Sequence, residues 1–357
     1  MAYLDVHNAC RVVLLTPGSE STGGVVLNQS NYQQDASGNT IALDGSQGQV
    51  MLRVPRFHYG YGFSGSTHTW KVSLNPFDGS AVYPWFTKGG VDVQYRYYGI
   101  YEAAWYDVSA GAYVDGDGTN AAFDANSDKL GSIVGKKPLT SKNRAQFRAA
   151  ASRVGSGWSL IDFWGYAAMK MLYITKYADF DSQTELGAGN TRWSGWDFAT
   201  YISATGKVLS VTASGQSTAG GDSSDYCNLL GIENPFGDIW EFVDGWNIYD
   251  GSNYICTDPA QFADNVGPTS AYSLYGAVNP QASGWQATLQ QNLGFLPASV
   301  GASDTTKITD YYYYASGWRV ACVGGTAYNG SYAGLAYLHA YSSSSSAYSS
   351  FGGRLCY

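Results

Sequence analysis

Histidine is the side chain best suited to acid–base and metal chemistry near neutral pH, and this sequence contains few. There are four: His7, His58, His68 and His339. They lie far apart along the chain, and no H-E-x-x-H, G-x-S-x-G or G-x-x-x-x-G-K-[ST] motif occurs. Zinc-protease, serine-hydrolase and phosphate-loop chemistry are recognised by these spacings. Because His339 alternates with Tyr337 and Tyr341, we predict an exposed strand residue rather than a general base, and no enzyme.

The cysteines form no redox or metal motif either. There are five: Cys10, Cys227, Cys256, Cys322 and Cys356. None belongs to a C-x-x-C pair, and an odd number without a recognisable secretion signal predicts reduced thiols. Cys322 and Cys356 flank the last segment of the chain, and the sequence does not decide whether they approach each other.

Residues 115–129, DGDGTNAAFDANSDK, begin with the acidic spacing of a calcium loop. Asp115 and Asp117 fit the first two ligand positions of an EF-hand, but its sixth and twelfth positions hold Asn120 and Asn126. An EF-hand requires Gly and Glu at those two positions. We interpret the segment as an Asp/Gly turn and predict no cofactor or metal, with structural calcium as the alternative.

Composition excludes several classes of partner. Only 13% of the 357 residues are charged and the formal net charge is −8. Because no basic run is present to neutralise phosphates, we predict neither nucleic-acid binding nor attachment to an anionic membrane. The N-terminus shows no signal peptide, and the apolar runs fall short of the roughly 18 residues that a membrane helix needs.

Periodicity predicts an α+β fold with two helices among many short, Gly-bounded strands. The segment TSKNRAQFRAAASRVG predicts a helix capped by Thr140 or Ser141 and ended by Gly155. The segment GWSLIDFWGYAAMKMLYITKYAD predicts a second helix that starts at a capping box of Ser159 and Asp162. Its apolar residues recur every three or four positions, which indicates one buried face. Residues 1–44 are predicted to be a separate N-terminal β segment, an assembly or attachment element.

The last segment has an unusual composition. Between Gly325 and Arg354 it is rich in Tyr and Ser, and it lacks Lys, Arg, Asp, Glu, Gln, Met and Trp. Tyrosine offers a large amphipathic contact at low rotamer cost, and serine offers adaptable hydrogen bonds, so this composition is typical of a recognition surface. A flexible low-complexity tail is the alternative. We favour an ordered loop because FGGRLCY follows it as a predicted strand.

Three motifs carry a resemblance to a known family. NPFGDIWEFVDG at 234–245 precedes SGWRVACVGG at 316–325 and the terminal FGGRLCY. Together with upstream segments such as GQVMLRVPRFHY they resemble the C-type lectin fold, in the branch of formylglycine-generating enzymes and of the variable proteins of diversity-generating retroelements. The resemblance covers residues 45–357, with a variable region at about 318–357, and extends to phage tail proteins that determine host tropism.

The resemblance implies a scaffold and a set of variable positions. Trp240 is expected to be a core pillar and Glu241 a buried anchor for backbone. The remaining implied scaffold residues are Gly237, Gly324, Gly325, Gly352, Gly353 and Arg354. The implied ligand-binding positions are Thr326, Ala327, Tyr328, Asn329, Tyr332, Tyr337, His339, Tyr341, Ser342, Ser346, Ala347, Tyr348, Ser349 and Ser350.

The composition also agrees with the mutagenesis that the resemblance implies. In these retroelements adenines of a template are copied unfaithfully, so that Asn codons become codons for many residue types. Adenine substitution in such codons cannot produce Lys, Glu, Gln, Met or Trp, and these five types are missing between Gly325 and Arg354.

The resemblance implies a receptor-binding protein of a phage tail whose ligand is a host cell-surface protein or glycan. Its expected location is the virion, or the cytoplasm of the producing bacterium before assembly. Other tail proteins are the expected partners, and assembly as a homotrimer fits this class. A structural tail or baseplate component is one alternative. The other is an oxidoreductase of the formylglycine-generating type, which requires a close pair of reactive thiols in an electropositive setting, and this region has no cation before Arg354.

Overall fold

The structure is a computed structural model that describes residues 4–88, 90–212 and 224–357. These ranges contain five α-helices: Asp5–Ala9 (α1), Arg144–Ser152 (α2), Phe163–Tyr177 (α3), Ser182–Leu186 (α4) and Phe198–Tyr201 (α5). Four 3₁₀ turns lie at Glu20–Thr22, Pro84–Phe86, Pro259–Gln261 and Gly330–Tyr332. No helix of the described chain has both the length and the apolar character required to span a membrane.

Strands dominate the rest of the described chain. In order they are Arg11–Leu15 (β1), Val25–Asn28 (β2), Asn31–Asp35 (β3), Gln49–Pro55 (β4), His58–Ser64 (β5), Thr67–Ser73 (β6), Ala81–Val82 (β7), Thr87–Lys88 (β8), Val91–Asp92 (β9), Tyr95–Gly99 (β10), Ala104–Asp107 (β11), Ala112–Val114 (β12), Lys129–Gly131 (β13), Ser159–Leu160 (β14), Asn228–Leu229 (β15), Ile232–Glu233 (β16), Trp240–Tyr249 (β17), Ser252–Ile255 (β18), Ser273–Tyr275 (β19), Gly284–Leu289 (β20), Pro297–Val300 (β21), Tyr311–Tyr314 (β22), Trp318–Gly324 (β23), Gly334–Ala340 (β24), Phe351–Gly352 (β25) and Leu355–Cys356 (β26). The fold is therefore mixed α+β with mostly antiparallel pairing, as the periodicity predicted.

A seven-stranded sheet joins the two ends of the chain, in the order β14-β26-β10-β4-β1-β2-β3. The N-terminal β1 pairs with β4 along its whole length, with Val13 opposite Met51, and both side chains are fully buried. The C-terminal β26 lies between β14 and β10. The boundary predicted between residues 44 and 45 therefore falls inside one continuous sheet.

A nine-stranded sheet carries the C-terminal segment, in the order β19-β18-β17-β23-β24-β22-β20-β21, with β25 pairing in parallel with β17. The strand β24 is antiparallel to β23 and parallel to β22. Because strands flank it on both sides, β24 is an interior strand, and all seven of its residues are buried. The end of the chain is thus built into the sheet and is not a free tail.

Both predicted helices exist, but their N-termini differ from the prediction. Helix α2 is capped by Asn143 in a capping box with Gln146, while Ser141 donates its hydroxyl to the carbonyl of Gly118. Helix α3 is capped by Asp162, whose carboxylate accepts from the amide of Gly165. Ser159 belongs to β14 instead, because its backbone pairs with Cys356 in the sheet.

Helix α3 is more deeply buried than a single apolar face would require. Its residues from Gly165 to Ile174 are all buried, including Lys170. Sheet strands and loops surround the helix, so that its polar positions also lie inside the protein. The lysine donates a hydrogen bond to the carbonyl of Gly294 at 3.2 Å and lies 4.5 Å from the ring centre of Tyr166.

Candidate ligand-binding site

The C-terminal segment lines an open cleft of about 560 Å³. After β24 the chain forms a serine-rich loop, residues 341–350, and returns as β25. The residues that line the cleft are Trp196, Trp240, Arg319, Tyr328, His339, Tyr341, Ser342, Ser343, Ser346, Tyr348, Ser349, Ser350 and Phe351. Eight of the fourteen positions that the sequence marked for ligand binding lie here, together with Trp240 from the implied scaffold.

The other six marked positions lie outside the cleft lining. Thr326, Ala327 and Tyr337 are fully buried, so they are not surface positions in this fold. The Thr326 hydroxyl bonds to the side-chain oxygen of Asn329 at 3.0 Å, which holds the turn that follows β23. Tyr332 stacks on Tyr311 with ring centres 4.5 Å apart, away from the cleft. The sixth position, Ala347, is exposed near the cleft rim.

His339 is buried, which contradicts the predicted exposed strand residue. Only 7% of its surface is accessible, because β24 is an interior strand and the imidazole stacks on Trp240 at 4.7 Å between ring centres. Burial lowers the pKa of His339 to about 3. The ring is therefore neutral at physiological pH and offers one donor and one acceptor.

The Trp240 ring forms the floor of the cleft. Its indole N–H donates to the hydroxyl of Tyr337 at 2.9 Å, and its ring lies 5.0 Å from that of Phe351. Trp196 and Tyr328 continue the aromatic lining, with ring centres 5.6 Å apart. These rings come from β17, β24, β25 and two loops, so several elements hold the floor of the cleft in place.

Contacts with the rest of the protein hold the serine-rich loop in a defined conformation. The indole of Trp196 donates to the hydroxyl of Ser349 at 2.7 Å. The Asn265 amide donates to Ser344 at 3.0 Å, and the backbone N–H of Ser141 donates to the carbonyl of Tyr348. Tyr341 and Tyr348 nevertheless remain 57% and 59% exposed, so the loop presents both rings to solvent.

An ion pair beneath the cleft ties the chain end to the sheets. Arg354 is fully buried and lies 2.6 Å from the carboxylate of Glu241. The guanidinium also donates to the carbonyls of Gly99, Ile100, Glu233 and Asn234. Glu241 was expected to anchor backbone directly; instead its partner is Arg354, and the arginine binds the backbone.

Gly325 occupies a conformation and a space that only glycine suits. Its φ is +85°, and a Cβ there would lie 2.7 Å from the Cβ of Ala333. We expect Gly325→Ala to lower the free energy of unfolding by roughly 2–4 kcal/mol, from left-handed strain and from overpacking. Urea unfolding of Gly317→Ala is the matched control, because Gly317 has a φ of +78° and open space around it. Equal losses in the two variants would contradict the packing contribution.

Residues 115–129, predicted to be an Asp/Gly turn, form a series of turns capped by side chains. The Asp117 carboxylate accepts from the amide of Thr119 at 2.7 Å, and Asp124 accepts from the amide of Asn126 at 2.8 Å. Asp115 accepts from the amide of Lys137. Within the described residues no group of three or more His, Cys, Asp or Glu side chains is arranged to hold a metal ion.

The cysteines are all free and buried. Cys322 in β23 pairs with His339 in the neighbouring strand β24. Cys356 belongs to the other large sheet, and its sulfur lies 3.7 Å from the guanidinium of Arg96. A cation is thus close to Cys356, contrary to the expectation from sequence. Burial still raises the pKa of Cys356 to about 11 and raises that of Cys322 as well. Both thiols are therefore protonated at neutral pH, which disfavours thiolate chemistry.

Sequence reasoning missed four of the residues that line the cleft. Trp196 comes from a loop more than a hundred residues upstream, and no pattern in the sequence connects it to the C-terminus. Ser343 and Phe351 are sequence neighbours of marked positions, and Arg319 had a usable signal as the last cation before Arg354.

No protein-family model matches this chain, and no curated protein matches it either.

Proposed function

We propose that this protein is a receptor-binding protein that recognises its ligand in the cleft beside the serine-rich loop. The observation that carries the proposal is the composition of that cleft, where exposed Tyr341 and Tyr348 surround a floor of buried rings. Tyrosine and serine in an open concavity supply contact area and hydrogen bonds at low entropic cost. The fold that would host this site is the C-type lectin-like fold of retroelement variable proteins.

We further propose that the cleft is diversified and that the protein acts at the tail of a phage, where it selects the host. The cleft rim belongs to a loop with few long-range side-chain bonds, and the ion pair of Arg354 and Glu241 lies beneath it. Changes at Tyr341, Ser346 or Tyr348 would leave that pair untouched. A rigid scaffold with a replaceable rim is the arrangement that such a role requires.

Binding to cells tests the recognition role. We expect the double variant Tyr341→Ala/Tyr348→Ala to lose about 1,000-fold in affinity, because central interface tyrosines contribute about 2 kcal/mol each. The measurement is adsorption of fluorescently labelled protein to the bacterial strain that carries the gene and to its relatives. The thermal midpoint should move by no more than about 2 °C, since the two side chains are exposed.

Tyr249→Ala is the matched control, because Tyr249 is 41% exposed and lies outside the cleft lining. Unchanged adsorption of the double variant would refute the recognition role. Loss of oligomer assembly without loss of adsorption would favour the structural tail component instead.

Sequencing of the source locus tests diversification separately. A reverse transcriptase gene and a near-copy of the terminal coding region should lie nearby, and the two copies should differ at adenines. If both are absent, diversification is refuted while ligand binding stands on the adsorption result.

A further inference from the structure

Three polar side chains that line the cleft belong to buried residues. His339, Ser342 and Ser350 are 7%, 6% and 6% exposed. Of their polar atoms, the Nδ1 atom of His339 is buried without a hydrogen-bond partner in the described chain. Buried polar groups normally find partners, because leaving one unsatisfied costs free energy. The unpartnered nitrogen therefore favours a polar ligand that can form a hydrogen bond with it.

Among the described residues, Arg319 is the only charged one that lines the cleft. Its Nη2 donates to the carbonyl of Ser316, and no carboxylate of the described chain lies within 4.0 Å of its guanidinium. The protein as a whole carries a net charge of −8, so an unpaired cation in a cleft without acids is unusual for this surface. A guanidinium in this position favours a carboxylate, which it can bind through two parallel hydrogen bonds.

The aromatic lining is suited to the face of a ring. The ring centres of Trp196 and Tyr328 lie 5.6 Å apart, and those of Tyr348 and Phe351 lie 5.3 Å apart. In the same cleft the serine hydroxyls and the neutral imidazole of His339 can each donate and accept. Sugar hydroxyls require both functions, whereas their C–H faces pack on aromatic rings.

Two features disfavour a peptide as the occupant. In the described chain β23 and β24 are paired on both sides, so neither of these two strands offers a free edge to an extended chain. The cleft volume of about 560 Å³ also lies in the range of small-ligand pockets, roughly 300–1,000 Å³. A concavity of this size suits one or two sugar residues better than a flat protein surface.

We propose that the cleft binds an acidic sugar residue of a cell-surface polysaccharide. In this arrangement Arg319 binds the sugar carboxylate, His339, Ser342 and Ser350 bind its hydroxyls, and the aromatic rings pack on its face. The proposal rests on the proposed function and specifies the ligand class of the same cleft.

Calorimetric titration with two oligosaccharides of equal length tests the proposal: tetragalacturonate, which is carboxylated, and maltotetraose, which is neutral. We expect the intact protein to bind tetragalacturonate at least tenfold more tightly. Arg319→Gln should lower the affinity for tetragalacturonate by about tenfold or more, since hydrogen bonds to charged groups are the strong ones. The Arg319→Gln variant should therefore bind the two oligosaccharides with nearly equal affinity. Arg56→Gln is the matched control, because Arg56 is a partly exposed arginine outside the cleft.

Equal affinity of the intact protein for both sugars, or an unchanged affinity in Arg319→Gln, would overturn the proposal. If a tetraglutamate peptide binds and tetragalacturonate does not, the carboxylate part of the proposal stands and the sugar part is refuted. If neither sugar binds but adsorption to cells still depends on Tyr341 and Tyr348, the acidic-sugar proposal fails and receptor binding stands. If adsorption is also independent of those tyrosines, both fail.

Discussion

Arg354→Met is expected to lower the free energy of unfolding by about 3–5 kcal/mol, because removing one partner of a buried ion pair leaves the other charge uncompensated. Arg354 is fully buried against Glu241 and donates to four backbone carbonyls from two distant segments. Those carbonyls would lose their donors, and Glu241 would have to take up a proton. Urea unfolding followed by tryptophan fluorescence measures the loss, and failure to obtain soluble protein would agree with it.

Arg56→Met is the control for loss of a positive charge, because Arg56 pairs with Asp92 only at 3.9 Å on the surface. Such exposed pairs contribute about 0–1 kcal/mol. Glu241→Gln should cost less than Arg354→Met, because the neutral amide can still accept from the guanidinium and the backbone carbonyls keep their donors. A loss below about 1 kcal/mol in Arg354→Met would show that the pair does not hold the chain end.

The contribution of Asp310 to the free energy of unfolding is expected to fall as the pH rises from about 4.5 to 7. Burial raises the pKa of Asp310 from 3.8 to about 8. Between these values the folded protein keeps a proton that the unfolded chain has released, so each pH unit removes up to about 1.4 kcal/mol. Asp310→Asn should remove this contribution to the slope, because the amide resembles the protonated carboxyl and still accepts from the amide of Ala336.

The measurement is urea unfolding at several pH values for the intact protein and for Asp310→Asn. Lys170 titrates near the same site, but burial lowers its pKa to about 7, so its contribution changes above the chosen range. Asp35→Asn is the control: hydrogen bonds from Asn39 lower the pKa of Asp35, so its contribution is lost only as the pH falls below the ordinary pKa of an aspartate. Identical slopes for the intact protein and Asp310→Asn would contradict the assignment.

Local patterns predicted the helices and the α+β class but not the helix caps. The apolar repeat of α3 is a property of neighbouring residues, which is why its existence could be read directly. Asn143 and Asp162 became the caps because sheet pairing and loop contacts engaged Ser141 and Ser159 elsewhere. A capping choice depends on which backbone amides remain unpaired, and that is decided by tertiary contacts.

In the candidate site, too, composition predicted one part and tertiary structure decided the other. The unusual composition between Gly325 and Arg354 was enough to mark the segment, and eight of the marked positions line the cleft. Composition could not tell exposed Tyr341 from buried Tyr337, although the two lie four residues apart. The difference arises because β24 has a strand on either side and ends at Ala340, so burial ends where the ladder ends.

Residue types and their order alone determined the low charge, the lack of catalytic spacings, the two helices and a C-terminal segment whose tyrosine–serine composition is typical of a recognition surface. Only the assembled sheets brought Trp196 and Arg319 to that end and buried His339 against Trp240. Trp196 bonds to Ser349, which lies 153 positions further along the chain, and Trp240 stacks on His339, which lies 99 positions further along. Local sequence patterns extend over a few residues, whereas such contacts exist only after the chain has paired its strands.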